Sequence, residues 1–200
     1  MIFVFDLDDT VTDTDNYSEE YIKNFIKKNN LPYKQISKVA RFAEKKFDWD
    51  NETALAWYKA YGDEMMGKFP CVKGAKESIN MLYDLGHTII IATARATDWH
   101  CDPEGVTEKW LEDSKVKYHK LYVGRVDKEK ICEEEKADVF LDDDIKITER
   151  VGNYFNKVNK GKSYLMTTEY NKEFETTNNV IRVKDFEDFM NKLKERIVEK

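Results

Sequence analysis

The chain opens with Met1-Ile2-Phe3-Val4-Phe5-Asp6-Leu7-Asp8-Asp9-Thr10, an uninterrupted apolar run that passes directly into acidic residues. A run this short, rich in aromatic and β-branched residues, predicts a strand over residues 2–5 that is buried on both faces, as in a parallel sheet. Ligands of such sheets bind beyond the carboxyl ends of the strands. The acidic turn after this strand is therefore the first candidate for a functional site.

The next part of the chain, residues 16–69, contains helical patterns and no convincing strand. Three apolar stripes at 3–4 spacing predict helices over residues 18–28, 35–47 and 51–66. These helices can form a small bundle of their own. We therefore predict an all-helical domain of residues 16–69, inserted into a core domain made of residues 1–15 and 70–200.

From Pro70 onward, amphipathic helices alternate with short apolar strands. The predicted strands cover residues 88–93, 121–123, 139–141, 164–166 and 180–183. The predicted helices cover residues 73–85, 104–111, 128–135, 145–158 and 185–198. This alternation predicts an α/β fold whose strands are parallel and joined by right-handed crossovers.

Composition narrows the class of function. With 33 basic and 39 acidic side chains the net charge is −6, which argues against a protein that binds long nucleic acids. The three cysteines have no CxxC spacing and are expected to be reduced thiols. The first segment lacks the basic start of a signal peptide, and no apolar stretch is long enough to span a bilayer. We expect a cytoplasmic protein with no membrane partner.

Four polar signals fall at the carboxyl ends of predicted strands, so one edge of the sheet should collect them. They are Asp6 to Thr10, Thr93-Ala94-Arg95, Lys128, and the pair Asp142-Asp143. Crowded carboxylates repel one another unless a hard cation such as Mg²⁺ neutralises them. A lysine and a hydroxyl in the same place suit an anion. Together these groups point to phosphoryl transfer on a small phosphorylated substrate.

The stretch Asp6-Leu7-Asp8-Asp9-Thr10-Val11 resembles the first motif, DxDxT followed by Val or Leu, of phosphatases of the haloacid dehalogenase (HAD) superfamily. Thr93, Lys128 and Asp142-Asp143 match the second, third and fourth motifs in order. The resemblance implies a Rossmann-like parallel sheet carrying an inserted helical cap of type 1. Three short stretches are most similar to the 5′(3′)-deoxyribonucleotidase branch of the superfamily: Thr93-Ala94-Arg95, Asp127-Lys128 and Leu141-Asp142-Asp143. This similarity implies hydrolysis of nucleoside monophosphates.

The same resemblance implies roles for the acidic residues. Asp6 would attack phosphorus and form an aspartyl-phosphate, and Asp8 would transfer protons. Mg²⁺ would be held by the Asp6 carboxylate, the Asp8 backbone carbonyl and the Asp142-Asp143 pair. Within that pair we favour Asp143 as the direct ligand and Asp142 as its support.

The phosphate itself would be bound at the ends of the second and third strands. Thr93, Ala94 and Lys128 are the implied phosphate-binding residues. The chain departs from the nucleotidase branch in two places: it has Asp9 where that branch often has glycine, and the spacing from Lys128 to Asp142 is about one helical turn longer. The longer spacing leaves Lys130 as an alternative for the lysine role.

Several interpretations stay open on the sequence. The substrate could instead be a phosphosugar, a phospho-amino acid or a nucleic-acid end, and a module that stores phosphate on aspartate is a further alternative. Arg95 could contact substrate or form an ordinary surface ion pair, and His100 could line the pocket. One or two of the aromatic residues of the insertion are expected to face the pocket: Phe42, Trp49, Trp57, Tyr58 and Tyr61.

Overall fold

The structure, a computed structural model, describes residues 1–198, with side chains as far as Lys194. The described residues contain six strands: β1 (Ile2–Phe5), β2 (Thr88–Thr93), β3 (Lys120–Val123), β4 (Val139–Asp142), β5 (Lys162–Met166) and β6 (Val180–Val183). They form one parallel sheet in the order β3-β2-β1-β4-β5-β6. The predicted α/β fold with a parallel sheet is confirmed.

Helices cover both faces of this sheet, which explains why the strands are apolar at nearly every position. Phe3 and Phe5 point to a face packed by α4 (Ala75–Asp84), α5 (Pro103–Ser114) and α8 (Phe186–Val198). Val4 points to the opposite face, which is packed by α6 (Lys128–Glu134) and α7 (Ile145–Lys157). Because successive side chains of a strand alternate between faces, β1 contributes to both cores.

The order of the strands in the sheet indicates where a ligand would bind. The chain runs from β1 outward to β2 and β3, then crosses to the other side of β1 to form β4. In such sheets the crevice at this reversal, beyond the carboxyl ends of the strands, is where ligands bind. Residues that follow β1, end β2 and end β4 therefore meet at one edge.

The insertion between β1 and α4 contains α1 (Thr14–Lys28), α2 (Ala43–Phe47) and α3 (Asn51–Met66). These helices share an apolar cluster of their own that includes Phe25, Trp57 and Met65. The segments that enter and leave the insertion lie side by side: Asp13 N donates to Pro70 O, and Val72 N donates to Val11 O. Both ends of the insertion are thus attached to the core at one place.

The second helix of the insertion is shorter than the sequence pattern predicts. Helix is found at Ala43–Phe47, whereas residues 31–42 are irregular. Ser37 Oγ accepts hydrogen bonds from Val39 N and Ala40 N, and Ser37 N donates to Lys46 O. These bonds occupy the amides in a non-helical arrangement, so the prediction of a helix over 35–47 is wrong for its first eight residues.

The first helix of the insertion begins four residues before the predicted start, at Thr14. Asp9 accepts a hydrogen bond from Asp15 N at 2.7 Å and so satisfies an amide of its first turn. Elsewhere the predicted and observed boundaries differ by at most three residues. Within residues 1–198, every helix is too short or too polar to cross a membrane.

Candidate active site

The carboxyl edge of the sheet brings three predicted carboxylates together. β1 pairs with β4 through Phe5 and Leu141, so that Asp6 follows β1 beside Asp142, and Asp6 N donates to Leu141 O at 2.9 Å. Asp6, Asp142 and Asp143 are all buried, and one carboxylate oxygen from each lies within 4.8 Å of the others. The register of β1 against β4 therefore brings Asp6 next to Asp142 and Asp143.

Lys128 is the cation at the centre of the cluster. Its Nζ lies 2.5 Å from Asp6 Oδ1 and 2.6 Å from Asp142 Oδ2, and the residue is 4% exposed. Burial lowers the pKa of Lys128, but the two carboxylates outweigh burial and hold the pKa above its usual value. The alternative, Lys130, pairs with Glu134 at 3.6 Å on the surface. The structure thus brings Lys128, and not Lys130, to Asp6.

Two of the carboxylates are difficult to ionise without further positive charge. Burial raises the pKa of Asp6 well above its usual value, Lys128 opposes this, and Asp142 and Asp143 add to it. Burial likewise raises the pKa of Asp143 to about 7, against the opposing effect of Arg41. A hard divalent cation such as Mg²⁺ binds carboxylate oxygens and would offset the repulsion between these buried negative charges. The donor set therefore fits the metal that the sequence predicts.

Asp8 lies beside this cluster and is paired with Arg95. Arg95 donates from Nε to Asp8 Oδ2 at 2.9 Å and from Nη2 to Asp8 Oδ1 at 2.7 Å, while Thr14 Oγ1 donates to Oδ1 at 3.0 Å. Burial raises the pKa of Asp8, but Arg95 and Thr14 together outweigh it and lower the pKa to about 2. Arg95 is itself buried and also donates to Thr107. A buried guanidinium thus pairs with a carboxylate that lines the cavity, unlike the surface ion pair considered from the sequence.

The remaining predicted residues lie at the end of β2. Thr93 is buried, and its Oγ1 is 3.4 Å from Asp8 Oδ2. Ala94 follows it, and both line the cavity that also reaches Asp6, Asp8 and Lys128. The structure therefore brings all the predicted catalytic and phosphate-binding residues to a single cavity.

This cavity has a volume of about 320 Å³ and two contrasting ends. Its floor is the polar edge of the sheet, and its other wall is mainly apolar and aromatic, with Arg41 and Lys46 of the insertion also lining it. That wall includes Phe42, Trp57 and Tyr58 of the insertion, together with Trp99 and His100 from the loop after β2. Three of the five aromatic residues named above thus line the cavity, one more than expected, whereas Trp49 packs on Phe25 and Phe47, and Tyr61 on Tyr21 and Phe25. His100 lines it as the sequence allowed.

Sequence reasoning missed two residues that contact the acidic pair. Arg41 Nη2 lies 3.2 Å from Asp143 Oδ2, and Arg41 Nη1 lies 2.6 Å from Asp144 Oδ2. The hydroxyl of Tyr170 also donates to Asp143 Oδ2. Arg41 and Tyr170 lie in irregular segments distant in sequence from Asp143, so no local periodicity could have identified them.

Asp9, the departure from the nucleotidase motif, occupies a backbone conformation that favours glycine. Its φ is +57°, in the left-handed region, which aspartate tolerates better than most residues. Its carboxylate accepts a hydrogen bond from Asp15 N at the start of α1. An aspartate at this position therefore stabilises the junction between the sheet and the insertion.

No protein-family model and no curated protein matches the chain. Among solved structures, it is similar to a "predicted phosphatase" from Clostridium acetobutylicum, with 16% identity, 100% and 98% of the two chains covered and a TM-score of 0.64. A HAD-superfamily hydrolase of subfamily IA from Geobacter sulfurreducens shows 12% identity, 96% and 95% coverage and a TM-score of 0.59.

A third similar structure is the HAD-hydrolase YfnB from Bacillus subtilis, described as bound to magnesium. It shows 13% identity, 96% and 98% coverage and a TM-score of 0.61. At such low identities the similarity concerns the fold. This chain therefore has the fold of the HAD-superfamily hydrolases, an α/β core with a six-stranded parallel sheet and a helical region near the amino terminus.

Proposed function

We propose that this chain is a Mg²⁺-dependent phosphomonoesterase whose favoured substrates are nucleoside monophosphates. One observation carries the proposal: Asp6 and Lys128 line a cavity, Lys128 bridges Asp6 to the fully buried Asp142, and Asp143 lies beside these carboxylates. A cation, a group of carboxylates and a hydroxyl at the carboxyl edge of a parallel sheet are the parts that phosphoryl transfer requires.

Hydrolysis would proceed in two displacements at phosphorus. In the first, an oxygen of Asp6 bonds to phosphorus, the ester P–O bond breaks, and the leaving oxygen takes a proton from Asp8. In the second, water bonds to phosphorus, gives a proton to Asp8, and the Asp6–phosphorus bond breaks to release phosphate. Lys128 and Thr93 would bind the non-bridging oxygens and stabilise their charge.

The metal would be held by Asp6, by the backbone carbonyl of Asp8 and by Asp143. When bound, it supplies the positive charge that lets the Asp6 carboxylate approach an anionic phosphate. Asp142 would take the supporting role, in which it accepts hydrogen bonds from Lys128 Nζ and from Asp144 N at 2.7 Å and so positions the lysine.

Asp8 has the geometry of a proton-transfer group held in place by its neighbours. Its ion pair with Arg95 favours the carboxylate, the form that accepts a proton from the hydrolytic water. A phosphate dianion beside Asp8 disfavours a second negative charge and raises the pKa of Asp8 toward the form that can protonate the leaving group. Asp8 returns to the carboxylate when it gives its proton to the leaving group, and it can then accept a proton from water while the phosphoryl group is still bonded to Asp6.

The choice of nucleoside monophosphates rests on the wall of the cavity opposite the floor. The rings of Phe42 and Trp99 line it and are each 41% exposed, so both have free aromatic surface. Flat, apolar groups such as nucleobases stack well on such rings. We propose that residues 16–69 act as a cap that binds the part of the substrate beyond the phosphate, and that the remainder of the chain forms the catalytic core.

The test is phosphate release from a panel of nucleoside monophosphates, phosphosugars and phospho-amino acids, with Mg²⁺ or with EDTA. We expect release from nucleotides that requires Mg²⁺ and falls on the order of 10³-fold or more in Asp6→Asn. Asp48→Asn is the matched control, since Asp48 is exposed and lies in the insertion. Inactivity of the wild type on the whole panel would refute the phosphatase proposal, and a preference for phosphosugars would refute only the substrate.

A further inference from the structure

One contact joins the insertion to the proposed metal site. Arg41 belongs to the irregular segment that precedes α2, yet its guanidinium reaches Asp143 and Asp144 about 100 residues further along the chain. The guanidinium also lies over the rings of Phe42 and Tyr170, at 5.4 Å and 5.5 Å from their centroids. Arg41, Phe42 and Asp144 all line the cavity, so this contact forms part of its wall.

Two features indicate that the contact is specific. The Arg41 side chain is only 30% exposed and Asp143 is fully buried, so the pair is shielded from water far more than a surface ion pair. Arg41 also binds two carboxylates through its two terminal nitrogens, a geometry that lysine cannot reproduce. Both points make the position a fixed attachment of the insertion to the core.

Arg41 is the cationic partner of Asp143, and in the proposed function Asp143 is also the favoured ligand of the divalent cation. Two cations a few ångströms apart repel each other strongly when water is excluded. A guanidinium beside Asp143 already neutralises part of its charge, and so lowers the attraction of the site for a metal. Arg41 and the metal should therefore oppose each other.

We propose that Arg41 is a latch that holds the insertion against the core through Asp143 and Asp144, and that a divalent cation competes with it for Asp143. The proposal rests on the proposed metal site and concerns its regulation. Asp144 is the second anchor: its Oδ1 caps α7 by accepting from Lys146 N at 2.9 Å, and its Oδ2 binds Arg41. Metal binding would thus remove one of the two carboxylate contacts of Arg41 and loosen the insertion without detaching it.

Direct metal binding tests the competition without relying on activity. Mn²⁺, which accepts the same oxygen ligands, is titrated into wild type, Arg41→Ala, Arg41→Lys and Lys45→Ala while free Mn²⁺ is followed by electron paramagnetic resonance. We expect Arg41→Ala to bind Mn²⁺ about tenfold to a hundredfold more tightly, the scale of one charge-assisted hydrogen bond. Arg41→Lys should fall between Arg41→Ala and wild type. Lys45→Ala removes an exposed charge from the same region and should match wild type.

A second readout concerns the latch itself. Without metal, the amides of Ile36 and Ser37, which donate to Lys46 O, should exchange with deuterium faster in Arg41→Ala than in wild type. Saturating Mn²⁺ should raise the exchange rate of the wild-type amides toward that of the variant. Equal exchange in both proteins would overturn the latch.

The possible failures can be told apart. If wild type binds Mn²⁺ and Arg41→Ala binds it equally or more weakly, the competition is wrong and the phosphatase proposal stands. If wild type does not bind Mn²⁺, and Asp143→Asn behaves identically, both the metal site and the latch proposed on it are overturned.

Discussion

The two sides of the cavity are built differently. On the floor, Asp6 and Lys128 are almost completely buried and bonded to each other, and Lys128 also binds the buried Asp142. Asp6 directly follows β1, Lys128 is the first residue of α6, and Asp142 is the last residue of β4. On the opposite side, Arg41 and Phe42 belong to an irregular segment and are partly exposed.

This difference separates the two tasks of the site. Groups that act on phosphorus need positions accurate to a fraction of an ångström, which paired strands supply. Groups that recognise the remainder of a substrate tolerate movement, and an irregular backbone can supply them. We therefore expect changes on the floor to affect turnover and stability together, and changes to the exposed rings of the wall to affect substrate binding with little change in stability.

The strongest test of this separation is Lys128→Met. The substitution leaves the Asp6 and Asp142 carboxylates buried without their shared cation, which should cost about 3–5 kcal/mol in the free energy of unfolding and abolish phosphate release. Urea denaturation measures the loss, and added Mg²⁺ should recover part of it. Lys130→Met, which removes an exposed lysine two residues away, should change neither property. Wild-type stability in Lys128→Met would show that the floor is not held together by this ion pair.

An effect of similar size, but confined to the insertion, is expected from Trp57→Ala. Trp57 is 2% exposed within the apolar cluster of the insertion, and truncating it should cost about 3–5 kcal/mol, confined largely to that region. Hydrogen exchange should accelerate in α1 and α3 and remain unchanged in β1 and β4. Tyr33→Ala, an exposed aromatic of the same insertion, is the control. Equal acceleration in the sheet would show that the two regions unfold as one unit.

The smallest effect on stability is expected from Phe42→Ala. Because the ring is 41% exposed, the free energy of unfolding should change by less than about 0.5 kcal/mol. If the ring stacks on a base, KM for a nucleoside monophosphate should rise about tenfold with little change in kcat. Phe174→Ala removes a ring that is 60% exposed outside the cavity lining and should leave KM unchanged. A loss of kcat at constant KM would place Phe42 on the catalytic side instead.

Much of the floor could be predicted because it depends on local patterns. Apolar runs identify β1, β2 and β4, and parallel pairing then forces the residues that follow them to one edge. Lys128 was placed by its position at the start of a helix. The sequence limits the lysine role to Lys128 or Lys130, and the contact between Lys128 and Asp6 in the structure distinguishes the two.

The wall could not be predicted in the same way. Residues 35–42 have apolar residues at helical spacing. Their backbone amides nevertheless donate to the Ser37 hydroxyl and to the Lys46 carbonyl rather than to helical partners. The pairing of Asp8 with Arg95 joins residues 87 apart, and that of Arg41 with Asp143 joins residues 102 apart. Such contacts depend on the relative placement of whole elements, which periodicity does not describe.

By itself the sequence determined the parallel α/β sheet, the helical insertion and the acidic edge where carboxylates, lysine and threonine meet. It could do so because burial and chain connectivity act through patterns only a few residues long. The tertiary structure alone decided which charged residues pair, which aromatic residues line the cavity and that Arg41 contacts Asp143. Side-chain contacts between distant segments depend on packing in three dimensions, and that packing is settled only when the insertion folds against the sheet.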